Sequence, residues 1–188
     1  MNTYITSDTH FGHDREFIYK PRGFNSLYEM EEKIIENWNN KVNDDDIVYV
    51  LGDFALGMDE HRLNNIISRL KGNIKLIIGN HDTDKKLDYY KEKWGWKIEI
   101  VGYATVIKYG KKSFYLSHYP TLVSSLEADP RHCPYNLSGH THSKQLFYND
   151  MPFIYNVALD AHNNNIILLD DICVDINNKI KECLKYLK

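Results

Sequence analysis

The chain has 188 residues, 43% hydrophobic and 26% charged, with a formal net charge of −3. That balance suits one folded domain spanning residues 1–188 and excludes a disordered chain. The small negative charge argues against wholesale attraction to nucleic acid, and no apolar run approaches the roughly 20 residues of a membrane helix.

Cys133, Cys173 and Cys183 are an odd count without metal-type spacing, so a disulfide scaffold is not expected. The opening run passes straight into Asp8 with neither the basic nor the long apolar segment of a leader, and a reducing cytoplasm is the expected location. Nine histidines are the unusual count.

Thr3 to Ser7 is strand-prone. Ser26 followed by Glu29 has the form of a capping box. It opens a helix whose apolar positions are Leu27, Met30, Ile34, Ile35 and Trp38. Ile47 to Leu51 is a continuous apolar run, as in a strand covered on both faces. Asp59 begins a second helix with the stripe Leu63, Ile66, Ile67 and Leu70, and Ile74 to Ile78 is another buried strand. This β-α-β-α-β order predicts parallel strands. Ala104 to Ile107 and Ser113 to Ser117 flank a hairpin turn at Tyr109-Gly110-Lys111. Tyr135 to Ser138, Phe153 to Leu159 and Ile166 to Leu169 are further strands, and Ile176, Ile180, Leu184 and Leu187 mark a closing amphipathic helix. Two packed sheets with helices outside are expected.

The chemistry stands just past the strand ends, where α/β sheets place their ligand sites. Asp8-Thr9-His10 follows the first strand, Gly52-Asp53 the second and Gly79-Asn80-His81-Asp82 the third. His118 follows the hairpin, and Gly139-His140-Thr141-His142 a later strand. Residues two apart on an extended chain share a side, so Asp8 with His10, and His140 with His142, can each grip an ion. The two oxygens of Asp53 can bridge two cations, and Asn80 adds a neutral oxygen. Imidazole and carboxylate without thiolate favour Mn, Fe, Zn, Ni or Co over Ca or Mg. Two such ions roughly 3.5–4 Å apart would share a hydroxide that attacks a phosphoryl group. His81 is then the expected general acid, with Asp82 orienting its ring and His10 sharing or steering the proton transfer.

This ordered set resembles the calcineurin-like metallophosphoesterases from Asp8 to His142. The opening through His13, with Arg22-Gly23-Phe24, is similar to a small bacterial and phage branch of that family. The resemblance implies a four-layer α-β-β-α sandwich of two mixed sheets flanked by helices. It implies one metal on Asp8, His10, Asp53 and His142, a second on Asp53, Asn80, His118 and His140, and His81 as the catalytic histidine. Leu56 is a departure, standing where many members carry a second Asp, often followed by Arg.

The expected function is hydrolysis of a phosphate monoester or diester with two divalent ions, manganese first among them. The substrate would be a small phosphorylated molecule, with nucleotides among the options. The alternatives are a non-catalytic metal-binding interaction module of the same fold, or an enzyme for nucleic-acid ends or cyclic nucleotides. No membrane partner is expected; nucleic acid and oligomeric state are left open.

Other residues carry two readings each. His13 is a substrate contact or a polar residue at a helix start, and Arg22 a phosphate clamp or a surface arginine. Asn156, Asp160 and His162 lie near a late strand end. His61 and His132 are expected to be structural, Asp44-Asp45-Asp46 a capping turn, and Lys85, Lys86, Lys91 and Lys93 a solvated helix face. Trp94 and Trp96 are expected in the core, against a base-stacking platform as the other reading.

Overall fold

The computed structural model describes residues 1–57, 59–123 and 134–185; His132, Cys133 and Leu187 lie outside them. In chain order it contains β1 (Thr3–Thr6), α1 (Glu16–Tyr19), α2 (Leu27–Asn39), β2 (Ile47–Leu51), α3 (Glu60–Arg69), β3 (Asn73–Ile77), α4 (Asp84–Trp94), β4 (Ile98–Gly102), β5 (Ala104–Tyr109), β6 (Lys112–Ser117), β7 (Tyr135–Ser138), β8 (Ile154–Asn156), β9 (Ile167–Leu168) and α5 (Leu169–Lys185).

Local chemistry starts the helices where the sequence indicated. Ser26 Oγ accepts the Glu29 amide at the head of α2, and Asp59 Oδ1 accepts the Arg62 amide at the head of α3. Asp46 ends the triple-aspartate turn by accepting the amides of Asn2 and Asn43.

The first sheet has the order β4-β3-β2-β1-β9, with its first four strands parallel and β9 antiparallel to β1. The second runs β5-β6-β7-β8, antiparallel across the hairpin and parallel thereafter. Both sheets are therefore mixed, as expected. Side chains alternate across the first sheet. Tyr4, Val48, Val50, Ile74 and Leu76 face the apolar stripes of α2, α3 and α4. Ile5, Leu51 and Ile77 face the other way, into a second core with Phe114, Leu116, Leu137 and Tyr155, which α5 joins through Ile172, Ile176 and Ile180.

Four expectations change. The fourth parallel strand, β4, was not legible because Trp94 to Val101 mixes charge and aromatics. The run Phe153 to Leu159 is a strand only over β8, because the Asn156 side chain turns the chain by accepting the Ala158 amide and donating to the carbonyls of Ser143 and Gln145. Trp96 is 74% exposed, while Trp94 donates its indole N–H to Asn64. Lys86 is half-buried and not on the solvated face; its ammonium donates to the carbonyls of Ala55 and His81, and burial lowers its pKa.

The ends of the sheets meet in one place. Ser7, just past β1, forms a parallel bridge with Ala158, just past β8, and the Val157 amide donates to Ser138 O at the end of β7. This junction sets loops from both sheets side by side. No helix among the described residues is long and apolar enough to cross a membrane.

Trp38 is fully buried in the first core and donates its indole N–H to Lys71 O at 2.9 Å. Trp38→Ala should destabilise the protein by about 3–5 kcal/mol, through lost burial and an unfilled cavity. Urea denaturation of the two proteins measures this directly.

Candidate metal centre

Backbone contact distance assembles the site. A Cβ on Gly52 would come within 2.5 Å of His118 Nδ1 and 2.7 Å of Gly79 Cα. One on Gly139 would collide with Asp8 Oδ2 and Ser7 Oγ. The strand-end turns thus touch where glycine alone fits. Five of the residues expected to bind metal sit in the left-handed region: Asp8 (φ 57°), His10 (49°), Asp53 (54°), His140 (68°) and His142 (49°). Such backbone is costly for non-glycine residues and clusters at functional sites.

The side chains converge in two groups. On one side His10 Nε2 lies 3.2 Å from His142 Nε2, and each is 3.8 Å from Asp8 Oδ1. On the other, His118 Nε2 lies 2.8 Å from Asn80 Oδ1 and 3.2 Å from His140 Nδ1. Asp53 Oδ2 stands between them, 3.8 Å from His10 Nε2 and 3.6 Å from His118 Nε2. Asp8, His10 and His142, and likewise Asp8, Asp53 and His118, present ligand atoms within 4.8 Å of one another.

These residues fit a divalent cation on several counts. Asp8 Oδ1 is fully buried without a hydrogen-bond partner, a costly state that an ion relieves. His118 Nδ1 donates to Leu51 O at 2.8 Å, which directs Nε2 toward Asn80 Oδ1 at 2.8 Å. His142 Nδ1 is similarly held by Asp160 Oδ2 at 3.0 Å, directing Nε2 into the site.

The electrostatics point the same way. Burial pushes the Asp8 carboxyl above its usual range. Burial, then the charges of His142 and Arg22, lower His10 to about 2, so its ring is neutral. Burial also lowers His140, with His118 adding to the effect. His142 runs opposite: burial works against its charge, but the Asp160 carboxylate and Asp8 raise its pKa overall.

The expected catalytic residues fare differently. His81 is 41% exposed on its side chain, with Nε2 4.0 Å from Asp53 Oδ2. Its own amide donates to Asp53 Oδ1 at 2.9 Å, so the turn and the central carboxylate move together. Asp82 does not orient the His81 ring. Its carboxylate accepts the amides of Asp53 (2.8 Å), Gly79 (2.9 Å) and Phe54 (3.2 Å), stitching the second strand-end turn to the third. His10, expected to share the proton transfer, is buried and neutral, which suits a ligand rather than a donor.

His13 lies against the cluster, its Nδ1 3.2 Å from His10 Nδ1. Arg22 is not at the surface facing a phosphate. It is buried and paired with Asp160 through both carboxylate oxygens. Asn156 holds the loop after His142, and His162 stacks on Tyr155 and bonds to Asn156 O. Lys86 ties the Ala55 and His81 carbonyls together beside Leu56. The supporting pair Arg22–Asp160 was missed as a pair. Its only signal in the sequence was an aspartate shortly after a late strand.

Fold and site together define two packed mixed sheets with Asp and His groups that could hold a metal ion at the strand ends. A sequence profile of the calcineurin-like phosphoesterases matches residues 1–181, and the chain belongs to that family of phosphoester hydrolases. It is 34% identical over 174 residues to an uncharacterized protein of Methanocaldococcus jannaschii, covering 89% of this chain and 86% of that one. It is 29% identical over 166 residues to the gene 66 protein of Mycobacterium phage L5, covering 77% and 79% respectively. A solved structure of a protein of unknown function from Aquifex aeolicus superposes with a TM-score of 0.69 at 26% identity, covering 91% of this chain and 97% of that chain.

Because His142 is raised above its ordinary pKa of 6.5, its Nε2 must lose a proton before binding an ion, whereas His10 has none to lose. Metal affinity should therefore rise as pH increases from about 6 to about 8, with proton release. Titration calorimetry in buffers of different ionisation enthalpy measures both quantities.

Proposed function

We propose that this protein hydrolyses a phosphate ester of a small molecule using two divalent cations, manganese being the first choice. Asp8, His10, Asp53 and His142 would hold one ion, and Asp53, Asn80, His118 and His140 the other. The observation that carries this reading is the place of Asp53 Oδ2, within 4 Å of imidazole nitrogens from both groups. Imidazole with carboxylate and an amide oxygen suits first-row transition metals.

When bound, the ions supply Lewis acidity toward the phosphoryl oxygens and an acidified water as nucleophile. The chain's own residues do the rest. His81 reaches from the edge of the cluster and protonates the departing oxygen as the P–O bond breaks. The bond from its amide to Asp53 keeps that ring at a fixed distance from the ligand groups. Asp82 and Lys86 hold the turn from behind by opposite means, one accepting amides and the other donating to carbonyls.

Two variants test this reading with bis(p-nitrophenyl) phosphate and p-nitrophenyl phosphate as probes and Mn²⁺ present. His81→Ala should lower kcat by about 10²–10⁴-fold with metal content unchanged. Asp53→Asn should lower both the bound metal and the rate. Full activity in His81→Ala removes it as the acid. Hydrolysis that persists after chelation in the unmodified protein overturns the metal-dependent reading.

A further inference from the structure

We propose that Arg22 and Asp160 are a positioning pair that sets the affinity of the Asp8–His10–His142 ligand group and makes no contact with substrate. This rests on the two-cation reading above.

The guanidinium of Arg22 has five N–H donors, and all of them are directed at protein atoms. Nε donates to Asp160 Oδ1 at 3.1 Å. Nη2 donates to Asp160 Oδ2 and to Asp8 O, each at 2.7 Å. Nη1 is directed at Thr9 O at 3.5 Å and Met30 Sδ at 3.7 Å. Its side chain is 1% exposed and that of Asp160 8%. No donor is left for a phosphate approaching from outside.

What the pair holds is specific. Arg22 bonds the carbonyl of Asp8, the first residue of the left-handed Asp8–His10 turn, and so supports backbone that is unfavourable by itself. Asp160 passes the same rigid link on to His142 Nδ1, which fixes the ring that faces His10. A single fork-to-carboxylate contact thereby sets the distance between ligands far apart in the chain. The other group has a different support: His118 leans on a backbone carbonyl, Leu51 O. Asp8 also lies within reach of Asp53 and His118 and accepts the His140 amide, so the pair acts first on the ion of the Asp8–His10–His142 group and less on the other.

The test is titration of metal-free protein with Mn²⁺ by calorimetry, and with Co²⁺ by absorbance, for the unmodified chain, Arg22→Lys and Asp160→Asn. Arg22→Lys keeps the charge and loses the fork; Asp160→Asn keeps the shape and loses the charge. Each should weaken one of two binding events by about 10–100-fold and the other by clearly less. At saturating metal the KM for bis(p-nitrophenyl) phosphate should not move. Unchanged metal affinity with a raised KM would return Arg22 to a substrate contact and overturn the proposal. Equal weakening of both events would overturn it in favour of a general structural role. The melting temperature of the metal-free proteins is the folding control, and if one variant does not fold, the other decides. Uptake of only one equivalent by the unmodified chain would defeat the two-cation reading, while the pair would still be judged on that ion.

Discussion

The site depends on how closely five turns of backbone approach one another. Parallel strands deliver their carboxyl ends to one side of a sheet, but delivery alone leaves ligands too far apart to share an ion. Here the turns after β2 and β3 touch at Gly52 and Gly79, and the turn after β7 meets the end of β1 at Gly139. Where the main chains are in contact, short side chains such as Asp and Asn can converge on a common point. Asp82 then locks the first of these contacts by gathering amides from both turns.

That convergence creates an electrostatic problem which the rest of the local structure manages. Polar side chains crowd together at His118 and Asn80, and Asp8 keeps a bare oxygen in the interior. A fold that buries such groups without positive charge loses stability. The surrounding network limits the loss by neutralising what it can. Arg22 balances Asp160, while the neutral rings of His10 and His140 avoid adding like charge around His142. Binding of a cation to the folded form alone would stabilise it further by mass action.

Much of this could be read from residue types and spacing, and the reasons are physical. Ser26 and Asp59 were visible as helix starts because capping is a local interaction. The order of metal-type residues was visible because they stand just past the strand ends, although the backbone that aims Asp8, His10, His140 and His142 is left-handed and not the extended chain the spacing suggested. What stayed hidden depends on distant partners. Nothing near Asp160 in sequence announces Arg22, and Asp82 next to His81 invited the wrong partner because adjacency says little about where a carboxylate points. Lys86 sits among other lysines, yet reaches inward to two carbonyls. β4 was hidden for another reason: at a sheet edge its apolar alternation is diluted.

The strand at the middle of this arrangement has an unusual history during synthesis. β1 emerges early, but its neighbours on either side are β2 and the much later β9, and the bridge from Ser7 waits for Ala158. A nascent chain can pair β1 with β2, and β2 with β3, while the ribosome is still producing the second sheet. His118, His140 and His142, three of the seven expected ligands, are then absent, and so is Asp160. A cation that needs ligands from both sheets can therefore bind only a nearly finished chain.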